Sequence, residues 1–384
     1  MSILTRLDAI SDRQLQAERE GAPRLENPLS PTEPFAQKLK RHLSSWARAT
    51  GLEEHVESAR GRPWVLAEAQ RKRNLYREEW WRHIEGYEHQ WARALNSSQC
   101  FAVNLFATLA EDAPAANRFL RHMLPDRGIT EADHVRVAFE QSPEGVPERL
   151  GERGQPTQID VFFTVYRERR VYGAIGVEVK LSEREFGACR GWTEVRDGVP
   201  LNPARERCLD GPRVFESPDQ HCFMAEREGR KYWSSMTMVG ASFERERLAS
   251  QDHCPFRHGL YQMMRNRVTL DVLRSITDAE WCDFVICVHP ANADVHRLPE
   301  PVAGELNAVD AFRALLRPGG VLGWDACEVL DGIVGIDGAS EEWAGWMRGK
   351  YLLGADAVSL AGRPEPEMRA VAKPLQEPEG GKSP

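Results

Sequence analysis

The chain has 384 residues, of which 41% are hydrophobic and 28% charged, a composition typical of a globular protein with a sizeable core. Its formal net charge of −8 excludes a global basic field for nucleic acid, so a nucleic-acid-binding face would have to be local. No apolar run reaches the roughly 18 residues that suggest a membrane span. The first residues lack the plan of a signal peptide, so we expect a cytoplasmic protein with no membrane partner.

Helical spacing of apolar residues dominates residues 1–94, which we predict to form a helical N-terminal region. Proline-rich sequence up to about residue 35 predicts a loosely packed arm. One amphipathic helix is predicted from Phe35 to Leu52, and a longer one from Trp64 to Leu95. The longer one carries a basic run that fits either a phosphate-tracking face or an ordinary solvated face: Arg71, Lys72, Arg73 and Arg77.

Residues 95–355 are predicted to form one α/β domain, and residues 356–384, rich in Pro, Glu, Gly and Lys, a disordered tail. Asn and Ser residues at 96–98 can cap the helix with which this domain begins. Gln99 and Glu111 in that helix are secondary site candidates, although helix capping and a solvated surface position are the simpler explanation of the two.

A helix over Arg118–Pro125 and a short strand over His134–Glu140 follow. The next segment, 141–158, has the Pro, Gly and charged residues of a loop. Its Arg149 and Arg153 could contact phosphate or serve solubility.

A strand–turn–strand pattern then spans Ile159–Tyr166 and Val171–Leu181, joined by a charged turn. Side chains alternate along a strand, so Glu178 and Lys180 share the face opposite the apolar neighbours that enter the core. Asp160 lies beside them if the two strands pair as a hairpin. Charged groups in so apolar a run are costly unless they are paired or bind a cation.

This arrangement of Asp160, Glu178 and Lys180 resembles the motif of the PD-(D/E)XK nuclease superfamily, with Gln158 and Ile159 before the aspartate and no proline. The resemblance implies an α/β (α+β) fold with a restriction-endonuclease-like central mixed sheet flanked by helices. It also implies divalent-metal hydrolysis of a phosphodiester.

In this reading Asp160, Glu178 and the carbonyl of Val179 would hold Mg²⁺ or Mn²⁺, because these ions prefer oxygen ligands. Lys180 would orient the attacking water and stabilise the developing negative charge. The simpler alternative is a surface hairpin whose Glu178–Lys180 pair contributes little.

A helix is predicted over Pro255–Arg274. Superfamily members can carry Gln-x-x-x-Tyr on such a helix, at the active site; here Gln262 matches, but Asn266 replaces the tyrosine. With Tyr261 and Arg265, these residues form a polar stripe that either faces the cleft or is the outer face of an amphipathic helix.

Two further segments, NSSQCFAVNLF at 96–106 and CPF…GLYQMMRN at 254–266, are similar to a branch of stand-alone bacterial restriction endonucleases. That similarity implies a restriction or phage-defence (antiviral) role, with DNA as substrate. Cleavage of both strands would need two active sites, hence a homodimer or successive nicks.

The segment after the Glu-x-Lys strand is rich in cysteine, and structural disulfides are not expected in the cytoplasm. Some members of the superfamily carry a four-cysteine iron–sulfur cluster, and zinc is also bound by four thiolates. Neighbouring histidines at 221, 253 and 258 could substitute as ligands. Chance burial of thiols explains the same pattern. The candidates for a zinc or iron–sulfur site are Cys189, Cys208, Cys222 and Cys254.

Towards the C-terminus, Asp283–His289 predicts a buried central strand beside the strands that carry Asp160 and Glu178. Helices are expected at Val309–Leu316 and Glu342–Leu353, and strand-like pieces within Val321–Ile336. No P-loop or GxGxxG motif is visible, so no nucleotide cofactor is expected.

We therefore predict a metal-dependent endodeoxyribonuclease. Two alternatives remain open: a catalytically silent nucleic-acid-binding module with the same fold, and a structural protein built around a cysteine-bound metal. RNA is a further possible substrate, since the core chemistry does not read the sugar.

Overall fold

A five-stranded mixed sheet forms the centre of the molecule, for which the computed structural model describes residues 34–154, 156–336 and 340–354. In chain order the strands are β1 (His134–Gln141), β2 (Ile159–Arg167), β3 (Arg170–Lys180), β4 (Trp281–Val288) and β5 (Leu322–Asp325). Their spatial order is β5-β4-β3-β2-β1. The pairs β1–β2 and β2–β3 are antiparallel, whereas β3–β4 and β4–β5 are parallel. The predicted hairpin and the predicted central mixed sheet are both confirmed.

Helices flank this sheet. The longer ones are α1 (Phe35–Ala49), α2 (Ser98–Glu111), α3 (Ala113–Met123), α4 (Tyr261–Thr277), α5 (Ala308–Ala314), α6 (Ala326–Ile336) and α7 (Glu341–Tyr351). Shorter helices are Val146–Arg149, Arg190–Thr193, Gly211–Glu216, Pro218–His221, Phe223–Glu226, Tyr232–Met236 and Arg245–Ala249. Segments of 3₁₀ helix are Glu53–His55, Ser58–Arg60, Glu68–Asn74, Glu78–His83, Pro125–Arg127, Arg205–Leu209 and Ala293–His296. Three two-stranded ribbons pair Val56–Glu57 with Arg62–Leu66, Val195–Arg196 with Val199–Pro200, and Arg297–Val302 with Glu305–Asn307.

The two faces of the sheet are buried in separate apolar clusters. Alternating residues of β3, such as Val177 and Val179, pack with α1, α2, α3 and α7. The opposite face, including Ala174 and Phe284, packs against α4 and α5. Glu178 and Lys180 therefore point towards α4, as the alternation in the sequence predicts.

The predicted long helix from Trp64 to Leu95 is wrong. The structure has a strand at Arg62–Leu66, two 3₁₀ segments and turns instead. The buried side chain of Asn74 donates 2.7 Å hydrogen bonds to the carbonyls of Ala92 and Ala94, which folds the segment back on itself. Burial of Trp80 and Trp81 in this folded-back form outweighs the helical periodicity.

The prediction of further strand over Val321–Ile336 is correct only for β5, because residues from Ala326 onward form α6. The N-terminal arm lies outside the described residues apart from its last two positions, and so does the predicted tail. The division at residues 94 and 355 stays a prediction. Over the part of the chain that the structure describes, no helix is long and apolar enough to cross a membrane.

Candidate active site

Three carboxylates form one row across the antiparallel strands. The pairing of β1 with β2 places Glu140 opposite Asp160, and the pairing of β2 with β3, continued by one residue, places Asp160 opposite Glu178. Side chains opposite each other in such a row have Cβ atoms about 5 Å apart. Lys180 follows two residues after Glu178 in β3 and points to the same face. The sequence-predicted trio of Asp160, Glu178 and Lys180 is thus brought together.

Asp160 connects the two strands of the hairpin. Its Oδ2 accepts a 2.7 Å hydrogen bond from the backbone N–H of Val179. Burial raises the pKa of Asp160 well above its ordinary value, and repulsion from the carboxylates of Glu178 and Glu140 raises it further. Lys180 and the Val179 amide oppose this rise only in part.

Glu178 and Lys180 form a buried ion pair beneath α4. Lys180 Nζ lies 2.5 Å from Glu178 Oε1, and the two residues are 7% and 0% exposed. Asn266 Nδ2 donates a 2.6 Å hydrogen bond to Glu178 Oε2, while Lys180 Nζ donates a 3.0 Å bond to Gln262 Oε1. Burial alone would lower the pKa of Lys180, but Glu178, Glu183 and Asp160 together raise it above its ordinary value. The lysine therefore stays charged.

Glu140 is the acidic residue that sequence reasoning missed. It ends the alternating strand pattern of β1, and its backbone has a left-handed φ of 49°, rare for a residue with a side chain. Gln99 Nε2 donates a 2.7 Å hydrogen bond to its Oε1. Burial raises the pKa of Glu140 to about 7, with a further contribution from Glu178. The position of this acid at the end of a strand that could pair with the hairpin was the available signal.

A cleft with a volume of about 1330 Å³ opens over this row. Of the described residues, the basic side chains that line it are Lys40, Arg62, Arg153, Lys180, Arg190, Arg230 and Arg265. The acidic ones are Glu88, Glu140, Asp160, Glu183 and Glu228. Seven positive groups thus face five carboxyl groups, two of them with raised pKa, although the whole chain has a net charge of −8. The cleft therefore carries more basic than acidic side chains, as a local nucleic-acid-binding face would.

Other sequence candidates divide between the cleft and the surface. Gln99, Gln262, Tyr261, Arg265 and Asn266 all line the cleft, as the polar-stripe interpretation of α4 predicts. Two of the candidates do not reach it. Glu111 forms ion pairs with Arg77 and Arg82 at the surface, and Arg149 is exposed away from the cleft lining. In the basic run, Arg71 and Arg73 pair with Glu68 and Glu78, which identifies that run as a solvated surface.

The carboxylate row fits a divalent cation in charge and in donor chemistry. Repulsion among Glu140, Asp160 and Glu178 is the kind of electrostatic cost that a bound cation removes. Asn266 Oδ1, which is buried beside Glu178, has no hydrogen-bond partner in the described part of the chain. Within residues 34–154, 156–336 and 340–354, however, no group of three or more His, Cys, Asp or Glu side chains is arranged to hold a metal ion. The carboxylates would have to turn towards a cation, and the Val179 carbonyl as ligand stays a prediction.

The four candidate cysteines converge from separate segments. Each of the six pairs of thiols among Cys189, Cys208, Cys222 and Cys254 interacts electrostatically. The backbone N–H of Cys254 donates a 2.9 Å hydrogen bond to the carbonyl of Cys208. Burial raises the pKa of Cys189 to about 12 and that of Cys208 to about 11. The four thiols are near one another without being arranged around a single ion, and their metal binding stays a prediction.

Comparison with known protein families shows which family the chain belongs to. A family model described as Restriction Endonuclease associating with ARP matches residues 40–314, which include the whole carboxylate row and α4. No curated protein sequence and no solved structure matches the chain.

Proposed function

This chain belongs to the family of restriction endonucleases associating with ARP, and with it to the PD-(D/E)XK superfamily, and we propose that it hydrolyses DNA phosphodiester bonds with a divalent cation. The strongest support for this proposal is that Glu140, Asp160 and Lys180 line one cleft, with Glu178 buried beside them in an ion pair with Lys180. Phosphodiester hydrolysis needs a cation site, a positioned water and positive charge near the phosphate. Each of these requirements has a candidate group in the cleft.

Glu140, Asp160 and Glu178 would hold Mg²⁺ or Mn²⁺, which supplies Lewis-acid stabilisation of the phosphate and a more acidic bound water. Gln99 holds the side chain of Glu140 by a 2.7 Å hydrogen bond, and Asn266 holds that of Glu178 by a 2.6 Å bond. These two amides fix the directions of the two acidic side chains, because each amide N–H donates to a carboxyl oxygen.

Lys180 supplies a permanent positive charge beside the reacting phosphate. Its contact with Gln262 Oε1 at 3.0 Å fixes the direction of the ammonium group. Gln262 is a positioning residue in this account, because it acts through the lysine. The ammonium group would orient the attacking water and stabilise the charge that develops on the phosphate.

The arginines of the cleft would bind the flanking phosphates. Arg153 is exposed at the cleft, and Arg265 Nε donates a 3.0 Å hydrogen bond to Thr157 Oγ1 near the row. The family description supports two further proposals: an ARP protein as partner, and a restriction or antiviral role. A homodimer would allow both strands of a duplex to be cut.

A catalytically silent nucleic-acid-binding module is the second candidate function. The intact set of Asp160, Glu178 and Lys180 favours the nuclease, because a binding module has no need for a buried carboxylate–lysine pair. Cleavage assays on plasmid, linear duplex, single-stranded DNA and RNA, each with and without Mg²⁺, test the proposal. Metal-dependent cleavage of DNA is expected; binding of DNA without cleavage of any substrate would favour the silent module.

A further inference from the structure

Two aromatic side chains are exposed at the rim of the cleft. Within the described ranges, Tyr87 at 59% exposure and Trp91 at 43% are the only exposed Phe, Tyr or Trp residues, and both line the cleft. Large aromatic side chains are normally buried because of their area. Exposure of these two rings at the cleft indicates a surface that a bound ligand covers.

The backbone beneath these aromatics is firmly held. Asn74 donates hydrogen bonds to the carbonyls of Ala92 and Ala94, which lie just after Trp91 in the chain. The backbone N–H of Ala94 donates a 2.8 Å hydrogen bond to the carbonyl of Trp91. Side chains that are exposed on an anchored backbone are pre-organised for a ligand, which lowers the entropic cost of binding.

The same backbone contacts the carboxylate row through one residue. Gln99 Nε2 donates both to the carbonyl of Tyr87, at 3.0 Å, and to Glu140 Oε1, at 2.7 Å. Gln99 Oε1 in turn accepts a 2.9 Å hydrogen bond from the N–H of His89. The aromatic rim is therefore fixed next to the acids at which hydrolysis would take place.

Positive charge accompanies the aromatic rings. The guanidinium of Arg62 lies 5.6 Å from the ring centroid of Trp91, and the ammonium of Lys40 lies 5.1 Å from that of Trp64. All four of these residues line the cleft. Aromatic faces next to basic side chains are the combination with which proteins hold single-stranded nucleic acid, by base stacking and phosphate contacts.

Building on the proposed function, we infer that Tyr87 and Trp91 stack on an unpaired nucleobase of the substrate. In a duplex the base faces cover one another, so that only base edges and backbone are accessible. An aromatic platform beside the acids can engage a base only where the strand is single or the nucleotide is turned out. The substrate class is then DNA in which a nucleotide next to the cut is unpaired or easily turned out, such as a single strand or a supercoiled plasmid, rather than a relaxed, fully paired duplex.

The test measures binding of a single-stranded oligonucleotide and of the blunt duplex of the same sequence, without divalent cations, at several salt concentrations. Trp91→Ala should weaken single-strand binding by about tenfold, with duplex binding changed less than about twofold. Trp91→Phe should restore most of the affinity, since it keeps a stacking face. The salt dependence of binding should not change, because no phosphate contact is removed.

Leu306→Ala is the matched control, since Leu306 is 55% exposed and does not line the cleft. An equal loss of affinity for both nucleic acids in Trp91→Ala, no loss for either, or a marked fall in its thermal unfolding temperature would overturn the inference. If wild-type protein cleaves plasmid but Trp91→Ala behaves like wild type, only the stacking role fails. If wild-type protein neither binds nor cleaves nucleic acid, the proposed function fails as well.

Discussion

The side-chain amide of Gln99 donates a hydrogen bond of 2.7 Å to the carboxyl group of Glu140. This contact joins α2 to the end of β1 and directs a third acid towards Asp160 and Glu178. The left-handed backbone of Glu140 is a local strain that the surrounding structure has to maintain. Strain of this kind often marks a functional position, and here it aims a carboxyl group at the cleft.

Replacement of Glu140 by Gln should stabilise the metal-free protein at high pH. Burial raises the folded-state pKa of Glu140 to about 7, above its value in the unfolded chain. The folded protein therefore binds the extra proton more tightly, and its stability falls as the pH rises from about 4.5 to about 7. Denaturant unfolding should show Glu140→Gln more stable than wild type by roughly 1–2 kcal/mol at pH 8, with little difference at pH 5. If the difference in unfolding free energy between Glu140→Gln and wild type narrows as the pH rises, the raised pKa of Glu140 is contradicted.

Removal of Lys180 should separate catalysis from metal binding. Lys180→Met should lower the cleavage rate by at least about 100-fold, because the positive charge near the phosphate is lost. It should also destabilise the metal-free protein by about 3 kcal/mol, since Glu178 loses its buried ion-pair partner. Saturating Mg²⁺ should recover part of that stability, because a cation can replace the ammonium group.

The Gln262→Ala variant is the comparison for Lys180→Met, because it removes only the 3.0 Å contact that directs the Lys180 ammonium group. Its cleavage rate should fall by roughly tenfold, well short of the loss in Lys180→Met. Wild-type cleavage rates in Lys180→Met would remove the lysine from the mechanism.

Cleavage at a fixed, limiting Mg²⁺ concentration should increase as the pH rises through about 7. The pKa of Glu140 is about 7 and that of Asp160 is raised well above its ordinary value, so both acids are partly protonated at lower pH. A protonated carboxyl group binds a cation poorly, so the half-saturating Mg²⁺ concentration should be about tenfold higher at pH 6 than at pH 8. A half-saturating concentration that is the same at both values would show that these acids do not hold the cation.

The cysteine cluster should reveal itself in the metal content of the purified protein. We expect zinc or an iron–sulfur cluster bound to Cys189, Cys208, Cys222 and Cys254, because four neighbouring thiols repel one another when ionised and a bound metal would remove that cost. Elemental analysis and visible absorbance distinguish the two metals. Cys254→Ser should lose the metal, whereas Cys287→Ser, at a buried cysteine outside the cluster, should retain it. If the wild-type protein contains no metal and the Cys254→Ser substitution leaves its stability unchanged, these are ordinary core cysteines.

The hairpin and its motif were predictable because their signals are local. Alternation of side chains along β3 places Glu178 and Lys180 on one face whatever the rest of the chain does. Asp160 follows from a short turn between two strands, and Gln262 from helical spacing in α4. These residues needed no knowledge of distant contacts.

Glu140 and the segment from Trp64 to Leu95 were not predictable in this way. β2 pairs with β3 on one edge, and its pairing with β1 on the other edge spans a long loop. No local pattern encodes the contact of Gln99 with Glu140. In the N-terminal segment, the hydrogen bonds of Asn74 to residues about 20 positions away replace the helix that its periodicity indicates. The meeting of four cysteines was likewise a matter of tertiary structure, since their spacing contains no CxxC pair.

The cleavage of supercoiled plasmid with and without Mg²⁺, by wild type, Glu178→Gln and Glu185→Gln, tests the central claim most directly. Glu185 is exposed and five residues beyond Lys180, so its variant controls for the loss of a nearby carboxylate outside the row. Metal-dependent nicking or linearisation by wild type and Glu185→Gln, with none by the folded Glu178→Gln protein, is the predicted result. Equal cleavage by Glu178→Gln and wild type would contradict the account, because the buried carboxylate at the centre of the row would then have no part in hydrolysis.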